Sequence, residues 1–203
     1  SYDLLSINLG IKSDDSSIDG STKNALKLKP ISEIKKTIDK VLKFNKPKPK
    51  NNVVLIGAGA AGVEVALALS SRFKKNKLHN QVILLSKNKS LLKGYNHIAK
   101  NQCKKKLLEN NVKVIFNAQV NKITKEYIEY NNNQKIYSKF PILSTAASPI
   151  NLLKKSNIPL SKNGSILVDN TLLVNKTTNV FAAGDIAEIE GYSKTKAGVY
   201  AVK

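Results

Sequence analysis

The chain has 203 residues, enough for one large domain or two small ones, and its hydrophobic content of 41% is ordinary for a globular protein. Its formal net charge of +20 suggests a nucleic-acid partner, but Arg72 is the one arginine and the lysines are scattered along the whole chain. Because proteins that read nucleic acids rely on arginine for bidentate contacts, we expect a lysine-rich solvated surface and no nucleic-acid partner. A weak attraction to anionic lipid surfaces stays open.

Several other classes of protein are also disfavoured. No apolar run approaches the roughly 20 residues of a membrane-spanning helix, and the polar, acidic start of the sequence is not typical of a signal peptide. We therefore expect a cytoplasmic protein. Cys103 is the single cysteine, and His79 and His97 lie apart in the sequence. Neither a disulfide framework nor a metal site is predicted.

Residues 1–50 predict a strand, a loop and a helix. Residues 2–10 indicate a strand that ends at a glycine turn, and residues 14–22 are rich in Ser, Asp and Gly, as loops are. Residues 31–44 carry apolar side chains at helical spacing and predict an amphipathic helix. The prolines at 46–50 end that helix, so we interpret it as a connector to the next domain.

The stretch from Val53 to Ser70 reads VVLIGAGAAGVEVALALS and is the clearest signal in the chain. A short apolar run typical of a buried strand leads into glycines at GxGxxG spacing, and good helix formers follow. Gly57 permits the tight turn, Gly59 lets the backbone approach a pyrophosphate, and Gly62 lets the helix pack closely on the strand. The free N–H groups of such a helix end favour phosphate. We therefore predict a dinucleotide-binding turn made of Gly57, Ala58, Gly59, Ala60, Ala61 and Gly62.

A Rossmann-like unit continues from this turn. Strands predicted at 81–85 and 112–116 flank a helix at 97–110, on which Cys103 lies among core residues. Short runs separated by polar turns then predict an antiparallel β-meander, with strands at 120–123, 126–130 and 135–137. A last apolar strand is predicted at 140–144.

The pattern changes again beyond Ala146. A short helix is predicted at 152–158, and strands are predicted at 165–168 and 180–183. The start of a final helix is predicted at 194–203. Because the sequence starts and stops abruptly, we expect an internal fragment of a longer protein.

Three features together resemble the two-dinucleotide-binding flavoproteins, the pyridine nucleotide-disulfide oxidoreductases. They are GAGAAGVE at 57–64, ILSTA at 142–146 and TNVFAAGDIA at 178–187. The resemblance implies an α/β fold in which a Rossmann-like NAD(P)-binding domain with an antiparallel β-meander is inserted in a partial FAD-binding domain. The implied segments are an FAD-domain segment with the connector helix, the NAD(P)-binding domain and a return to the FAD domain, at 1–50, 51–145 and 146–203.

The resemblance also implies a function. The family's FAD-dependent oxidoreductases transfer a hydride from NAD(P)H to flavin and pass the electrons to an acceptor, here an unidentified small molecule, quinone-like or other. With a single cysteine, the chain is more similar to type II NADH dehydrogenases than to disulfide reductases. The phrases YDLLSINLG, KPI and KAGVYAVK also resemble the flavoprotein module found alone or fused to selenide, water dikinase. That leaves a regulatory or partner role in selenophosphate synthesis as the alternative, and a homodimer and a peripheral contact at the inner face of a membrane also stay open.

Further site residues follow from the same resemblance. Glu64 directly follows the glycine turn and is the candidate catalytic residue near nicotinamide and flavin; the plain alternative is an acid in the first helical turn that interacts with the helix dipole. Gly184 and Asp185 form a Gly-Asp motif that would bind the ribityl chain of FAD. Lys196 and Ala197 would open a helix directed at the flavin ring.

The sequence departs from the family at two cofactor contacts. An acid that binds the ribose of NAD is expected after the second strand, but Ser86 and Lys87 stand there. Lysine can pair with a 2′-phosphate, which favours NADPH, although a surface lysine is the plain alternative in so basic a chain. The family's first GxGxxG, which holds the FAD pyrophosphate, does not occur in these 203 residues.

Overall fold

A computed structural model describes residues 2–13, 17–28, 32–43, 52–78, 80–145, 147–148, 153 and 156–192. In chain order the strands are β1 (Leu5–Ile7), β2 (Lys12–Ser13), β3 (Leu26–Lys27), β4 (Val53–Ile56), β5 (Val82–Leu85), β6 (Val112–Ile115), β7 (Val120–Ile123), β8 (Tyr127–Tyr130), β9 (Gln134–Tyr137), β10 (Phe140–Leu143), β11 (Ala147–Ser148), β12 (Ile166–Val168), β13 (Val180–Ala182) and β14 (Ala187–Ile189). The helices are α1 (Ser21–Asn24), α2 (Ser32–Leu42), α3 (Ala60–Lys75) and α4 (His97–Glu109), with a short 3-10 helix at Gly184–Ile186. The chain forms two compact units, Ser13–Ala146 and Ser1–Lys12 with Ala147–Lys203.

The larger unit is built on a five-stranded parallel sheet in the order β3-β10-β4-β5-β6. Every residue of β4, β5 and β10 is buried, which is why these strands are continuous apolar runs in the sequence. Helices α3 and α4 connect β4 to β5 and β5 to β6. The α/β fold class and the Rossmann-like βαβ arrangement predicted from the sequence are therefore confirmed.

Alternate residues of the central strands point to opposite faces of the sheet and pack into two different hydrophobic cores. Val53 and Leu55 pack with Val63, Leu69 and Phe73 of α3 in one hydrophobic core. The residues of the other face pack with residues of the strands after β6 in a second core, which includes Val54, Ile56, Ile83, Leu85, Ile123 and Ile128. Strands β7, β8 and β9 pair antiparallel, so the predicted β-meander is present.

Helix α2 lies with the larger unit, although the sequence suggested a connector in the segment 1–50. The unit begins at Ser13, and β3 pairs with β10 at the edge of the parallel sheet. Buried Val41 of α2 belongs to the same core as β4 and α3, with Ile34 and Ile38 packed against it. The predicted amphipathic helix is therefore confirmed as α2. Its apolar face packs against the core of the parallel sheet, because β3 brings α2 to the sheet edge.

The smaller unit contains two pairs of parallel strands, β1 with β13 and β12 with β14. Its hydrophobic core includes Ile7, Ile166, Val168 and Ile186. The predicted strands 165–168 and 180–183 are thus found within one residue of their expected ends. The predicted helix at 194–203 lies outside the described residues, as do residues 152, 154 and 155 of the helix predicted at 152–158. No helix in the described part of the chain is long and apolar enough to cross a membrane.

Candidate functional site

The turn after β4 has the backbone conformation that its first glycine predicts. Gly57 has a φ of +114°, and a Cβ atom there would lie 2.5 Å from the Ser144 carbonyl oxygen. Both the dihedral angle and the close neighbour exclude a side chain at this position. The Gly57 N–H donates to the Leu85 carbonyl oxygen at 2.9 Å, so the turn starts from the ladder between β4 and β5.

The second glycine faces open space. A Cβ at Gly59 would meet no heavy atom within 4 Å, and Gly59 itself is exposed. Helix α3 starts directly after it, and its first helical hydrogen bond runs from the Val63 N–H to the Gly59 carbonyl at 3.0 Å. The amides of Ala60, Ala61 and Gly62 precede that bond, and the first turn contains no acidic residue. This open, dipole-positive helix end can receive a phosphate group close to the backbone.

The third glycine packs the helix onto the strand. A Cβ at Gly62 would lie 1.9 Å from the Gly57 carbonyl oxygen and 2.7 Å from Ser144 Oγ. The Ser144 hydroxyl donates to that same Gly57 carbonyl, with 2.6 Å between the oxygens. Ser144 therefore fixes the turn from the neighbouring strand β10. Ser144 lies in the ILSTA motif noted in the sequence, but its contact with the turn was not predicted, because that contact depends on the strand order that brings β10 beside β4.

Ser86 and Lys87 follow β5 at the same edge of the sheet, since Leu85 pairs with Ile56. Ser86 is only 2% exposed, and its hydroxyl lies 3.1 Å from the Asn88 carbonyl oxygen and 3.2 Å from the Asn88 amide nitrogen. The hydroxyl therefore bonds within its own loop. Lys87 is exposed. The sequence from Val65 to Leu108 has eleven Lys and Arg residues and no Asp or Glu, so no acid follows β5 in the place of the missing ribose ligand.

The loop between β5 and α4 is attached to the glycine turn. The Leu92 N–H donates to the Ala58 carbonyl oxygen at 3.0 Å, while Leu91 and Leu92 are buried in the core beside α3. Leu92 has a φ of +50°, a left-handed conformation that is uncommon for a residue with a side chain. The loop that begins with Ser86 and Lys87 is thus attached to the glycine turn at Leu92, by a contact that the sequence did not reveal.

Glu64 lies in the second turn of α3 and is exposed. Because Ala60 is the first residue of the helix, Glu64 is not in the first turn, where an acid would interact with the dipole. This position weakens the alternative that Glu64 merely stabilises the helix start.

The Gly-Asp motif, the predicted second site, lies in the smaller unit. Gly184 has a φ of +75°, and a Cβ there would lie 2.7 Å from Asn8 Oδ1. Since β1 and β13 are parallel, Asn8 and Asp185 both follow the carboxyl ends of paired strands, the edge at which α/β proteins bind ligands. Asp185 is half-buried. Lys196 and Ala197 lie outside the described residues. Among the residues that the structure describes, no group of His, Cys, Asp and Glu side chains could hold a metal ion.

The parallel sheet, the glycine turn and the uncapped helix end define a Rossmann-like α/β protein. Residues 1–201 match the family described as pyridine nucleotide-disulphide oxidoreductase. The chain belongs to this family, as the resemblance of its motifs implied. The further resemblance to the selenide, water dikinase module is not shown by these comparisons.

Three similar proteins are informative. The probable NADH dehydrogenase of Dictyostelium discoideum is 24% identical over 209 residues, covering 93% of this chain and 46% of the relative. The structure of NDH2 from Plasmodium falciparum in complex with NADH has a TM-score of 0.77 at 22% identity, covering 93% of this chain and 44% of that one. An engineered water-forming NADPH oxidase bound to NADPH, a variant of the Lactobacillus brevis NADH oxidase, has a TM-score of 0.76 at 22% identity, covering 92% and 40%.

These structural likenesses, at 22% identity, show the shared fold. The chain spans about half the length of the curated relatives it matches. The activity of the whole protein must therefore be argued from its own residues.

Proposed function

We propose that the chain is the nucleotide-binding part of an FAD-dependent NAD(P)H oxidoreductase similar to the NADH dehydrogenases. The observation that carries this proposal is the helix end at Gly59, with open space above the glycine and no acid in the first helical turn. The amides of Ala60, Ala61 and Gly62 would bind the pyrophosphate of NAD(P)H, while Gly57 and Ala58 form the turn that presents them. The name of the Dictyostelium relative and the NADH bound to the Plasmodium structure support a nicotinamide dinucleotide as the ligand of this turn.

FAD is the second cofactor of this proposal. Gly184 gives the turn after β13 its left-handed conformation, and the Asp185 carboxylate would accept hydrogen bonds from ribityl hydroxyls. Bound flavin would supply the two-electron acceptor for the hydride of NAD(P)H. The part of this chain is then to bind and orient, and no side chain needs to act as a nucleophile. We further propose that residues 51–145 and 146–203 belong to the NAD(P)-binding and FAD-binding domains, with Lys196 and Ala197 beside the flavin.

Glu64 is the proposed catalytic side chain near the reacting groups. Its exposure on the helix that begins at the pyrophosphate site supports this role, because a carboxylate there is free to contact a bound nucleotide. We expect Glu64→Gln to lower kcat more than the affinity for nucleotide.

The residues that follow β5 favour NADPH over NADH as the bound nucleotide. Ser86 bonds within its loop, and Lys87 and Lys89 are exposed where a ribose 2′-phosphate would lie. The engineered oxidase supports this assignment, since an aspartate was replaced and arginines were introduced in the variant that was solved with NADPH. We expect Lys87→Glu to lower the affinity for NADPH about tenfold or more and to leave that for NADH nearly unchanged.

An anaerobic titration tests the function. The protein reconstituted with FAD is titrated with NADH and with NADPH while the flavin absorbance is followed. Bleaching by NADPH at lower concentration than by NADH is expected. A flavin spectrum that neither nucleotide changes would contradict the oxidoreductase proposal and favour the alternative of a regulatory module in selenophosphate synthesis. Failure of the full-length protein to bind flavin would contradict the oxidoreductase proposal as a whole. The electron acceptor is proposed only as a small molecule, quinone-like or other.

A further inference from the structure

We propose that the outer face of α4 is a docking surface for an anionic lipid bilayer. The α4 face consists of Ile98, Asn101, Lys105 and Leu108, which recur at helical spacing and are all exposed. The proposal does not depend on the nucleotide or on the flavin, because it concerns residues that neither cofactor is proposed to contact.

Two large apolar side chains protrude from this face. Leu108 is 78% exposed and Ile98 is 64% exposed. The neighbouring Leu107 points the other way and is fully buried in the core. Helix α4 therefore has one apolar contact with its own sheet and a second set of apolar side chains for which the described residues provide no cover.

The charge around the α4 face is mostly positive. The sequence from Val65 to Leu108 contains no acidic residue, and Glu109 pairs with Lys106, with 2.9 Å between Nζ and Oε2. Lys104 and Lys105 lie before that pair and are exposed. A lysine beside a protruding leucine can extend its amine to lipid phosphates while its methylene chain covers apolar surface.

A second helix adds to this charge. The Ser70 hydroxyl donates to the Asn110 carbonyl oxygen, so the last turns of α3 and α4 lie side by side. Arg72, Lys74 and Lys75 are exposed on that turn of α3. Cations at helix C-termini also interact with the helix dipole, but the dipole gives no reason for the exposure of Ile98 and Leu108.

The chemistry favours lipid over other anions. Lysine is a point charge without the planar fork that reads phosphopeptides or bases, and it supplies nearly all the positive charge on these helices. A membrane surface needs no directional contact and attracts each nearby lysine with about 1 kcal/mol. A cleft of about 440 Å³ between α3 and α4 adjoins the face and is lined by Leu67, Gln102, Cys103, Lys105, Lys106 and Glu109.

The C-terminal part of the α4 face lies away from the nucleotide turn. Helix α3 starts at the carboxyl edge of the sheet, and its last turn lies at the opposite edge, beside the last turn of α4 that carries Leu108. Ile98, in the first turn of α4, lies at the same edge of the sheet as the nucleotide turn.

The test is flotation of the full chain with vesicles of phosphatidylcholine alone and with vesicles in which about a third of the lipid is phosphatidylglycerol. We expect partitioning to the anionic vesicles alone, weakened by added salt. The charge variant is Lys104→Gln with Lys105→Gln, and its matched control is Lys162→Gln with Lys176→Gln, which removes the same charge from exposed sites of the smaller unit. At about 1 kcal/mol, or about fivefold, for each lysine, the charge variant should partition about 25-fold more weakly and the control almost normally.

The apolar variant is Ile98→Ser with Leu108→Ser, and its control is Leu4→Ser, since Leu4 is 72% exposed in the smaller unit. We expect about tenfold weaker partitioning for the variant and no change for the control, with unchanged circular dichroism for both. Equal effects of variants and controls would show binding by net charge alone and overturn the assignment. Absence of binding to anionic vesicles would also overturn it. Binding to poly-L-glutamate without binding to vesicles would assign the face to an acidic protein instead.

Discussion

The turns at Gly57 and Gly184 have the same design but are held by different contacts. Each follows a strand of a parallel pair, and each has a glycine at positive φ, +114° and +75°. The atom that excludes a side chain at Gly57 is a backbone oxygen of Ser144, whereas at Gly184 it is Oδ1 of the Asn8 side chain. A backbone oxygen within a buried sheet cannot move without the strand, while a side chain can rotate. The first turn is therefore rigidly specified, and the second is adjustable.

The largest effect is expected at the third glycine of the first turn. Gly62→Ala would place a Cβ 1.9 Å from a backbone oxygen, so helix α3 must move away from β4. We expect a loss of about 3 kcal/mol or more in the free energy of unfolding, measured by urea denaturation. The matched control is Gly59→Ala, which meets no atom within 4 Å and should cost less than about 1 kcal/mol as a weaker N-cap. Equal losses would show that the turn is not packed as described.

Paired substitutions separate the two kinds of contact. Gly57→Ala and Gly184→Ala should each destabilise the fold by about 1–3 kcal/mol, because both glycines have positive φ and a close neighbour. Removing the neighbouring side chain with Asn8→Ala should recover part of the loss at Gly184. Ser144→Ala should recover none at Gly57, since the obstacle there is the backbone. Rescue of Gly57→Ala by Ser144→Ala would contradict the comparison.

The Ser144 hydroxyl has a smaller effect of its own. Ser144→Ala removes the hydrogen bond to the Gly57 carbonyl and should cost about 1 kcal/mol in unfolding experiments. Ser156→Ala is the control, because the Ser156 hydroxyl donates within a local turn to the Leu153 carbonyl and Ser156 is exposed. A control as costly as Ser144→Ala would remove the case for a special role of Ser144 in the turn.

The smallest effect is a pH dependence in the smaller unit. The Asp169 carboxylate accepts hydrogen bonds from the Thr171 hydroxyl and N–H and from the Leu173 N–H. These bonds, with the Thr171 hydroxyl first, lower the pKa of Asp169 below its ordinary value of 3.8. A lowered pKa in the folded state means that the contribution is present above pH 3.8 and is lost as the pH falls through the folded-state pKa. Asp169→Asn should remove a small part of the acid sensitivity of the unfolding midpoint, and an unchanged profile would contradict it.

Local signals predicted much of the larger unit. Strand β4 and helix α3 were predicted because apolar runs and helical spacing change at the glycines. Gly57 has the predicted turn conformation and Gly62 the predicted close packing, while the approach of Gly59 to a pyrophosphate stays a prediction. The β-meander was found from its polar turns, of which Asn131 and Asn132 have positive φ. These features depend on residues that are close in the sequence.

What sequence analysis missed depends on distant pairs. Ser144 contacts Gly57 across 87 positions, and the pairing of β3 with β10 places α2 on the larger unit. Leu92 reaches the turn by a backbone N–H, a contact that its residue type does not encode. Strand order decides all three, and a single sequence carries little information on the order in which parallel strands pair.

The most direct test of the central claim is an NMR titration of the ¹⁵N-labelled chain with NADPH. The account predicts the largest amide shifts at Ala60, Ala61 and Gly62, followed by the loop from Lys87 to Leu92, because those amides lie at the helix end and at the β5 edge. Gly59→Val should abolish these shifts and leave the fold intact, since it fills the open space that a pyrophosphate needs. Shifts confined to other parts of the chain, or none at saturating NADPH and NADH, would contradict the account.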